Sequence, residues 1–374
     1  RLREIAMMLP LPSSRAHTDE RVTYSADEIL ASDPGLEPLI ANGVRCHGGF
    51  DSSGAYRSPR TLHRAPAIRA WQGRLAAEGA RLLTISRELL PPQYPNVAQA
   101  KLLLRAGVRD PIVRALTMIA IVEGFGAVIR DVRVPDLRTL VREPIDGTAL
   151  AHLERGLFEA HARDEAGHRN EGGHKQMWEA ARDLALENPR VPPDVLMRIL
   201  GGGGRPSERK RSFPQLDETL EAMLATMANV LVIEVFAAGT FDWGDRLLSD
   251  PEISAEPERA GSMVRCIRHD ETPHVEYLRT ALSEICARTL LTVDGGTIPG
   301  RSVVDVLLHR TLGVLTTSRP QEQRADTRAS LVEAMKRAGS PQRLLEEFDA
   351  LETSFTPAKK TGFEPMSGAE GHAA

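Results

Sequence analysis

Apolar residues recur at the spacing of an α-helix along four long stretches of the chain. The first stretch opens at Asp110-Pro111, where an N-capping residue precedes a proline at the first helical position, and it predicts a helix to about residue 130. The other three predict helices over about residues 147–187, 217–248 and 258–289. Asp217 is placed to cap the third of the four helices. Four long helices with one long connection in the middle are typical of an all-α four-helix bundle.

The stretches outside these four helices have weaker patterns. Turn-forming residues are frequent in the first 95 residues, which contain one predicted helix over about residues 65–90. The connection 189–216 is rich in glycine, proline and charge and is predicted to be a mobile crossover loop. We expect four regions: an N-terminal extension (1–95), the bundle (96–290), a C-terminal region that packs on the bundle (291–352) and a disordered tail (353–374). The C-terminal region is predicted to contain helices over about 301–312, 324–338 and 341–352.

The composition indicates a helical cytoplasmic protein. Aromatic residues make up only 4% of the chain, which suits helices packed through aliphatic side chains. The net charge of −4 offers no basic excess for binding nucleic acid. The three cysteines, Cys46, Cys266 and Cys286, lie far apart, which argues against a disulfide framework and against a thiolate zinc site. No uninterrupted apolar run approaches the roughly 18 residues that span a bilayer, so we expect no membrane contact.

Two of the predicted helices share a motif of metal-binding residue types. The second helix contains Asp164-Glu165-Ala166-Gly167-His168 and the fourth contains Asp270-Glu271-Thr272-Pro273-His274, so both read DExxH. A Glu and a His three positions apart lie about 60° from each other around a helix, so both can reach the same metal ions. One such motif is common by chance, but two on separate helices are much rarer. The pair predicts a metal site between the second and fourth helices.

The first and third predicted helices each place a glutamate inside an apolar run. Glu123 lies in the run 119–127 and Glu234 lies in the run 230–238. A buried carboxylate without a partner is costly, so each must be neutralised, exposed at an edge or bound to a cation. Taken singly, either residue could be a surface glutamate on a mostly buried helix. The order Glu, ExxH, Glu, ExxH along four helices favours metal ligands.

The pattern Glu123, Glu165-x-x-His168, Glu234, Glu271-x-x-His274 resembles that of the di-iron carboxylate proteins of the ferritin-like superfamily. This superfamily includes acyl-carrier-protein desaturases, ribonucleotide reductase small subunits, bacterial multicomponent monooxygenases and arylamine N-oxygenases. The resemblance covers about residues 110–290 and matches no single subfamily closely. It implies a ferritin-like bundle whose long crossover joins helices two and three. It also implies two ions bridged by Glu165 and Glu271, one completed by Glu123 and His168 and the other by Glu234 and His274.

The aspartates that precede the two motif glutamates have two open interpretations. In the resembling families the Asp beside the motif often accepts a hydrogen bond from a ligand histidine of the opposite motif. The resemblance therefore implies such a role for Asp164 and Asp270, next to the alternative that both are solvated.

Three further histidines lie near the motifs. His161 lies four residues before Glu165 on the same stripe and is open as a seventh ligand, as an outer hydrogen-bond donor or as a polar residue at the edge of the cavity. An extra histidine of the arylamine N-oxygenases would fall instead at Ile267, so that match fails. His174 and His269 lie off the stripe, and we expect them to be exposed.

The pattern favours redox chemistry at a buried pair of metal ions. Four carboxylates balance two divalent cations, and oxygen-rich ligation with imidazoles suits iron, or a manganese–iron pair. We expect an oxidoreductase that uses two iron ions and dioxygen to hydroxylate, desaturate or N-oxygenate a small or carrier-bound substrate. An external donor would supply electrons to this enzyme. A homodimer is the expected assembly. The alternatives are an iron-handling protein with ferroxidase activity and a non-catalytic helical scaffold.

Overall fold

Helices predominate in the computed structural model, which describes residues 21–86, 89, 92–191 and 211–352. In chain order its helices and strands are α1 (Ala26–Ile29), β1 (Glu37–Ala41), β2 (Val44–Phe50), β3 (Tyr56–Arg57), α2 (Arg64–Ala77), α3 (Val97–Arg105), α4 (Asp110–Gly126), α5 (Leu137–Leu140), α6 (Phe158–Ala166), α7 (His174–Leu186), α8 (Glu218–Leu248), α9 (Pro257–Cys286), β4 (Thr289–Leu291), β5 (Thr297–Pro299), α10 (Gly300–Gly313), α11 (Arg319–Met335) and α12 (Pro341–Ala350). This agrees with the predicted all-α class apart from two small antiparallel sheets. The predicted tail lies outside the described residues, as does most of the predicted crossover loop.

The four predicted long helices correspond to α4, the pair α6 and α7, α8 and α9. Helix α7 packs on both α4 and α9, and α8 packs along α9, whereas α4 and α8 make little contact within the described residues. Helix α8 begins where the sequence predicts, because the Asp217 carboxylate accepts a hydrogen bond from the Leu220 N–H at 2.9 Å. One edge of the four-helix arrangement, between α4 and α8, is therefore loosely packed.

The second predicted helix is broken in the structure. A 3₁₀ turn (Ala149–His152) and a π-helical turn (Leu153–Leu157) lead into α6, which ends at Ala166. Gly167 then takes a φ of +82°, a left-handed conformation that terminates helices and favours glycine. The chain resumes as α7 only at His174. The single helix predicted over 147–187 was therefore wrong at this point.

The N-terminal segment forms a small sheet that packs on the bundle. Strands β1, β2 and β3 pair in that order, each antiparallel to its neighbour. The loop between α6 and α7 is attached to β2, because the Gly172 N–H donates to the Arg45 carbonyl at 2.7 Å. The helix predicted over about 65–90 is shorter, since α2 ends at Ala77.

The apolar interior is divided into two cores. The two longest helices pass from one core to the other: α8 contributes Leu231 to the first and Phe241 to the second, and α9 contributes Leu278 to the first and Ile267 to the second. Helix α6 packs in the first core, and α4 and α7 pack in the second. The candidate metal ligands lie between the two cores. Apolar packing therefore holds the four helices in place above and below the polar cluster.

Two segments of the bundle are long and apolar enough to cross a membrane by length and composition. They are Asp110–Asp131 and Glu218–Leu248, which carry Glu123 and Glu234. Core helices of globular proteins also meet this description. In the most apolar stretch of each segment, 33% is buried in the first segment and 44% in the second, so both keep part of their apolar surface exposed.

A buried carboxyl at the first core gives a test of this packing. Burial raises the pKa of Glu284 to about 7, although its carboxylate accepts hydrogen bonds from the N–H groups of Ala149 and Leu150 at 3.0 and 3.1 Å. Because the ordinary pKa is 4.5, the folded state binds this proton more tightly than the unfolded state. Stability from Glu284 is therefore present at low pH and is lost as the pH rises from 4.5 towards 7.

We expect the free energy of unfolding of the wild type to fall by roughly 2–3 kcal/mol between pH 5 and pH 8, relative to that of Glu284→Gln. Urea unfolding of both proteins at the two pH values measures this difference. Parallel pH profiles for the two proteins would contradict the buried, proton-binding state of Glu284.

Candidate metal centre

Seven side chains from the bundle helices meet at the boundary between the two apolar cores. They are Glu123 on α4, His161 and Glu165 on α6, His174 on α7, Glu234 on α8, and Glu271 and His274 on α9. Each of these side chains is at most 10% exposed. The structure thus brings together five of the six predicted ligands, His161, which the sequence left open as a seventh ligand, and His174, which the sequence did not predict.

The first part of the cluster is arranged around His174. Its Nδ1 lies 2.8 Å from Glu271 Oε1, 3.2 Å from Glu165 Oε1 and 3.8 Å from Glu123 Oε2. The ligand atoms of Glu165, His174, Glu271 and His274 all lie within 4.8 Å of one another. Atoms at these separations can bind one ion at ordinary metal–ligand distances of about 2.0–2.2 Å.

The second part is arranged around His161 and His274, whose rings stack with their centroids 3.9 Å apart. His161 Nε2 lies 3.2 Å from Glu234 Oε1, and His274 Nδ1 lies 3.2 Å from Glu165 Oε1. These four residues also form a group with ligand atoms within 4.8 Å of one another. The two groups share Glu165 and His274, so they are adjacent parts of one cluster that could hold metal ions.

The sequence-based assignment of His168 as a ligand was wrong. Because α6 ends at Ala166, His168 lies in the loop after it, half-buried, with its backbone paired to Glu171 through hydrogen bonds of 3.0 Å in both directions. The ExxH argument requires an unbroken helix between Glu165 and His168, and Gly167 breaks it. The loop therefore sets the direction of the His168 side chain, which does not lie on the face of α6 that carries His161 and Glu165.

His174 takes the place expected for His168, although the sequence had suggested that it would be exposed. It is fully buried at the first position of α7. The loop before it is compact: a Cβ at Gly173 would lie 2.3 Å from the Gly167 backbone nitrogen. Glycines at 167, 172 and 173 were the sequence signal for this loop. His269 is exposed, as expected.

Several buried polar atoms of the cluster have no hydrogen-bond partner among the described residues. They are His161 Nε2, both ring nitrogens of His174, Glu165 Oε1 and Glu271 Oε1. Buried polar atoms are nearly always hydrogen-bonded in native proteins. The exceptions here are imidazole nitrogens and carboxylate oxygens that face one another, which are the atoms that bind metal ions. The donor set therefore fits a metal centre.

The carboxyl groups of the cluster have strongly perturbed pKa values. Burial and repulsion from Glu165 and Glu271 raise the pKa of Glu123 well above its usual value. Burial and repulsion from Glu271 raise the pKa of Glu234. Burial also opposes the charges of Glu165 and Glu271, but His174 and His274 together outweigh it and lower the pKa of both carboxyl groups. So many carboxyl groups can be buried together only with cations among them.

The histidines provide part of that positive charge. Burial lowers the affinity of His174 and His274 for a proton, yet Glu271, Glu165 and the aspartate behind each ring together raise the pKa of both histidines well above the usual value. Metal ions and protons compete for the same nitrogen and oxygen atoms. The cluster is therefore built for cations of either kind.

Asp164 lies behind His274, as the resemblance implies for one of the two aspartates. His274 Nε2 lies 2.9 Å from Asp164 Oδ2 in a hydrogen bond. The buried guanidinium groups of Arg60 and Arg64 donate to the same carboxylate at 2.6 and 2.7 Å. Burial opposes the charge of Asp164, but the two arginines outweigh it and lower its pKa well below the usual range.

Asp270 lies behind His174 with different partners. The Tyr56 hydroxyl donates to Asp270 Oδ2 at 2.8 Å, and the Nε2 atoms of His47 and His174 lie 3.5 and 3.7 Å from the same oxygen. Burial opposes the charge of Asp270, but these histidines lower its pKa to about 2. Asp164 therefore faces the histidine of the opposite motif, whereas Asp270 faces His174, which lies beyond that motif.

Comparison of the chain with protein-family models, with curated proteins and with solved structures finds no match. The site must therefore be interpreted from its own geometry.

Replacing His174 and His168 in turn tests which of the two is a metal ligand, since the structure places His174 in the cluster and the motif predicts His168. We expect His174→Ala to retain less ferrous iron than the wild type, because it removes a nitrogen between Glu165 and Glu271. His168→Ala should retain as much as the wild type, since that side chain lies outside the cluster. Metal analysis after anaerobic loading and dialysis measures both; loss of metal in His168→Ala alone would contradict the ligand set.

A close approach of α4 to Glu165 gives a second test. A Cβ at Gly126 would lie 2.5 Å from Glu165 Cγ, whereas a Cβ at Gly124 would meet only the flexible Lys175 side chain at 3.0 Å. We expect Gly126→Ala to displace the Glu165 carboxylate and weaken metal binding about tenfold or more. Gly124→Ala is the matched control, and equal affinities of the two variants in a competition titration with a chelator would refute the contact.

Proposed function

We propose that the chain is a ferritin-like di-iron carboxylate protein that activates dioxygen to oxidise a small organic or carrier-bound substrate. The observation that carries the proposal is the convergence of four glutamates and three histidines in one buried place, with ligand atoms that lack other partners among the described residues. In this proposal Glu165 and Glu271 bridge the ions. His161, Glu234 and His274 hold one ion, and Glu123 and His174 hold the other.

The charges of the buried groups support two divalent ions. Four glutamates balance two such ions, while the three imidazoles are neutral ligands. Around them, the negative charges of Asp164 and Asp270 balance the positive charges of Arg60 and Arg64. With two divalent ions, the ensemble therefore closes at zero net charge, which is the condition for burying it in an apolar interior.

The types of ligand favour iron over a structural zinc ion. Carboxylates with imidazoles suit iron and manganese, and structural zinc sites use four ligands with thiolates among them. Cys46 and Cys266 are buried, and burial raises the pKa of both thiols to about 12, so neither is a thiolate at neutral pH. The cluster is accordingly one of hard, oxygen-rich ligands.

Two ferrous ions held by these residues would supply electrons to dioxygen. The chain contributes the environment: the two apolar cores exclude water from the cluster, and the buried carboxylates fix the ligand geometry. Hydroxylation, desaturation and N-oxygenation each remove two electrons from the substrate, and the reduction of dioxygen takes four. The proposal therefore includes an external donor of the other two electrons.

The surface next to the cluster favours an organic substrate over iron storage. Glu123 and Glu234 are the most exposed of the seven side chains, at 10% and 9%. Exposed apolar residues lie beside them in the sequence, Val122 and Phe125 on α4 and Ile233 on α8. A route for ferrous ions would be lined with carboxylates, whereas these side chains suit an apolar molecule.

Anaerobic loading with ferrous iron followed by exposure to oxygen tests the proposal. We expect two iron ions per chain and, after oxygen, the optical bands and Mössbauer doublets of an antiferromagnetically coupled ferric pair. Glu165→Ala should abolish the coupled signal, because it removes the carboxylate shared by both positions, while circular dichroism shows the helices retained. A full signal in this variant would remove Glu165 from the ligand set.

The same experiment distinguishes the alternatives. Turnover of many ferrous ions per chain into a mineral core, together with a many-subunit assembly in solution, would favour a ferroxidase. Far fewer than two ions per chain in the wild type would favour a non-catalytic scaffold. Manganese in one position after loading with both metals would change the cofactor to a manganese–iron pair.

A further inference from the structure

Strand β2 of the N-terminal sheet reaches the metal cluster with three consecutive residues. Arg45 accepts the Gly172 N–H through its carbonyl, and Cys46 pairs with Gly172 in a parallel bridge. The next residue, His47, points into the bundle with no exposed side-chain surface. One strand thus fixes the loop that precedes His174 and also faces the carboxylate behind it.

His47 has a fully buried ring and no hydrogen-bond partner for either nitrogen among the described residues. Its Nε2 lies 3.5 Å from Asp270 Oδ2, and its ring centroid lies 5.6 Å from that of His174. A buried imidazole N–H requires an acceptor. Asp270 is the acceptor that this geometry offers, and the same carboxylate oxygen faces His174 Nε2 at 3.7 Å.

Tyr56 approaches the same carboxylate from β3. Its hydroxyl donates to Asp270 Oδ2 at 2.8 Å. The approach requires a glycine in β2, because a Cβ at Gly48 would lie 2.0 Å from the Tyr56 hydroxyl oxygen. One hydrogen bond, from Tyr56, and two imidazole rings, those of His47 and His174, therefore face Asp270 from three different elements, and two of these three groups belong to the N-terminal sheet.

The other aspartate is held in a different way. Asp164 is paired with two buried arginines, Arg60 and Arg64, whereas Asp270 has neither arginine nor lysine within ion-pair distance among the described residues. The aspartate behind His274 is therefore held by arginines, whereas the aspartate behind His174 is not. Hydrogen bonds from outer residues orient a ligand histidine and raise its basicity.

We infer that His47 and Tyr56 are positioning residues of the metal centre, which act through Asp270 to hold His174 and hence one of the two metal ions. This inference rests on the proposed function, since it assigns an outer support to one of the two proposed metal positions. It makes the N-terminal sheet part of the site. It also makes the two positions unequal, with the position at His174 dependent on β2 and β3 and the position at His161 and His274 independent of them.

The experiment compares four full-length variants with the wild type, each loaded anaerobically with ferrous iron and titrated with a competing chelator. His47→Leu and Tyr56→Phe remove a donor to Asp270. His47→Gln keeps an N–H near the place of Nε2. His152→Leu is the matched control, because His152 is a buried histidine whose hydrogen bonds are to Thr148 and Tyr24.

We expect His47→Leu and Tyr56→Phe to bind the first ion with wild-type affinity and the second about 10- to 100-fold more weakly. His47→Gln should restore most of the second affinity, and His152→Leu should bind both ions as the wild type does. Mössbauer spectra at one ion per chain should show a single occupied position in the two weakened variants. Tyr56→Phe keeps the test decisive if His47→Leu fails to fold, because it removes only a hydroxyl group.

Three results would overturn the inference. Unchanged affinity for both ions in His47→Leu and Tyr56→Phe would remove the positioning role while leaving the di-iron proposal intact. A third ion bound by the wild type and lost in His47→Leu would make His47 a ligand, since His47, His174 and Asp270 could hold an ion of their own. A wild type that binds no iron would overturn the proposed function together with this inference.

Discussion

The burial of four carboxylates in one place is the constraint on which the rest of the structure depends. Glu123, Glu165, Glu234 and Glu271 lie between two apolar cores, where charge is costly unless it is matched. Arg60 and Arg64 are directed at Asp164, so these arginines do not neutralise the glutamates. The glutamates are faced by histidines and by one another. This arrangement is stable only with protons or metal ions among the carboxylates, and the partnerless ligand atoms favour metal ions.

The division of the interior into two cores explains how such a cluster can be tolerated. Helices α8 and α9 have apolar contacts on both sides of their candidate ligands, as α9 has at Ile267 before Glu271 and at Leu278 after His274. Helix α6 is held by the first core, and α4 and α7 are held by the second. The helices therefore need no stabilisation from the cluster itself, and the ligands can be placed for binding. The edge between α4 and α8 has less packing, and the two least buried glutamates lie on these helices.

The features that depend on local sequence pattern could be predicted, whereas those that depend on tertiary contacts between distant residues could not. Three of the four long helices and five residues of the cluster follow from helical periodicity, from the motif spacing and from carboxylates within apolar runs. The error at His168 came from treating Gly167 as tolerated within a helix, whereas it ends α6 with a positive φ. Pro273, a stronger helix breaker by rule, lies inside an unbroken α9. Tertiary packing decided both cases, and a local stretch of sequence does not reveal that packing. The contribution of His47 and Tyr56 was hidden for the same reason, because more than 200 residues separate them from Asp270.

The two halves of the bundle are similar in pattern but unequal in chemistry. Four residues before the motif glutamate, α6 has His161 whereas α9 has the buried Ile267. The first half thus supplies two histidines, one before Glu165 and one after the glycine loop, and the second half supplies His274 alone. The outer support is unequal as well, with arginines behind one histidine and the N-terminal sheet behind the other. A dinuclear centre with unequal positions can hold its ions with different affinities and oxidise them at different potentials, because ligand type and outer hydrogen bonds set both properties. The asymmetry therefore follows from named residues of this chain.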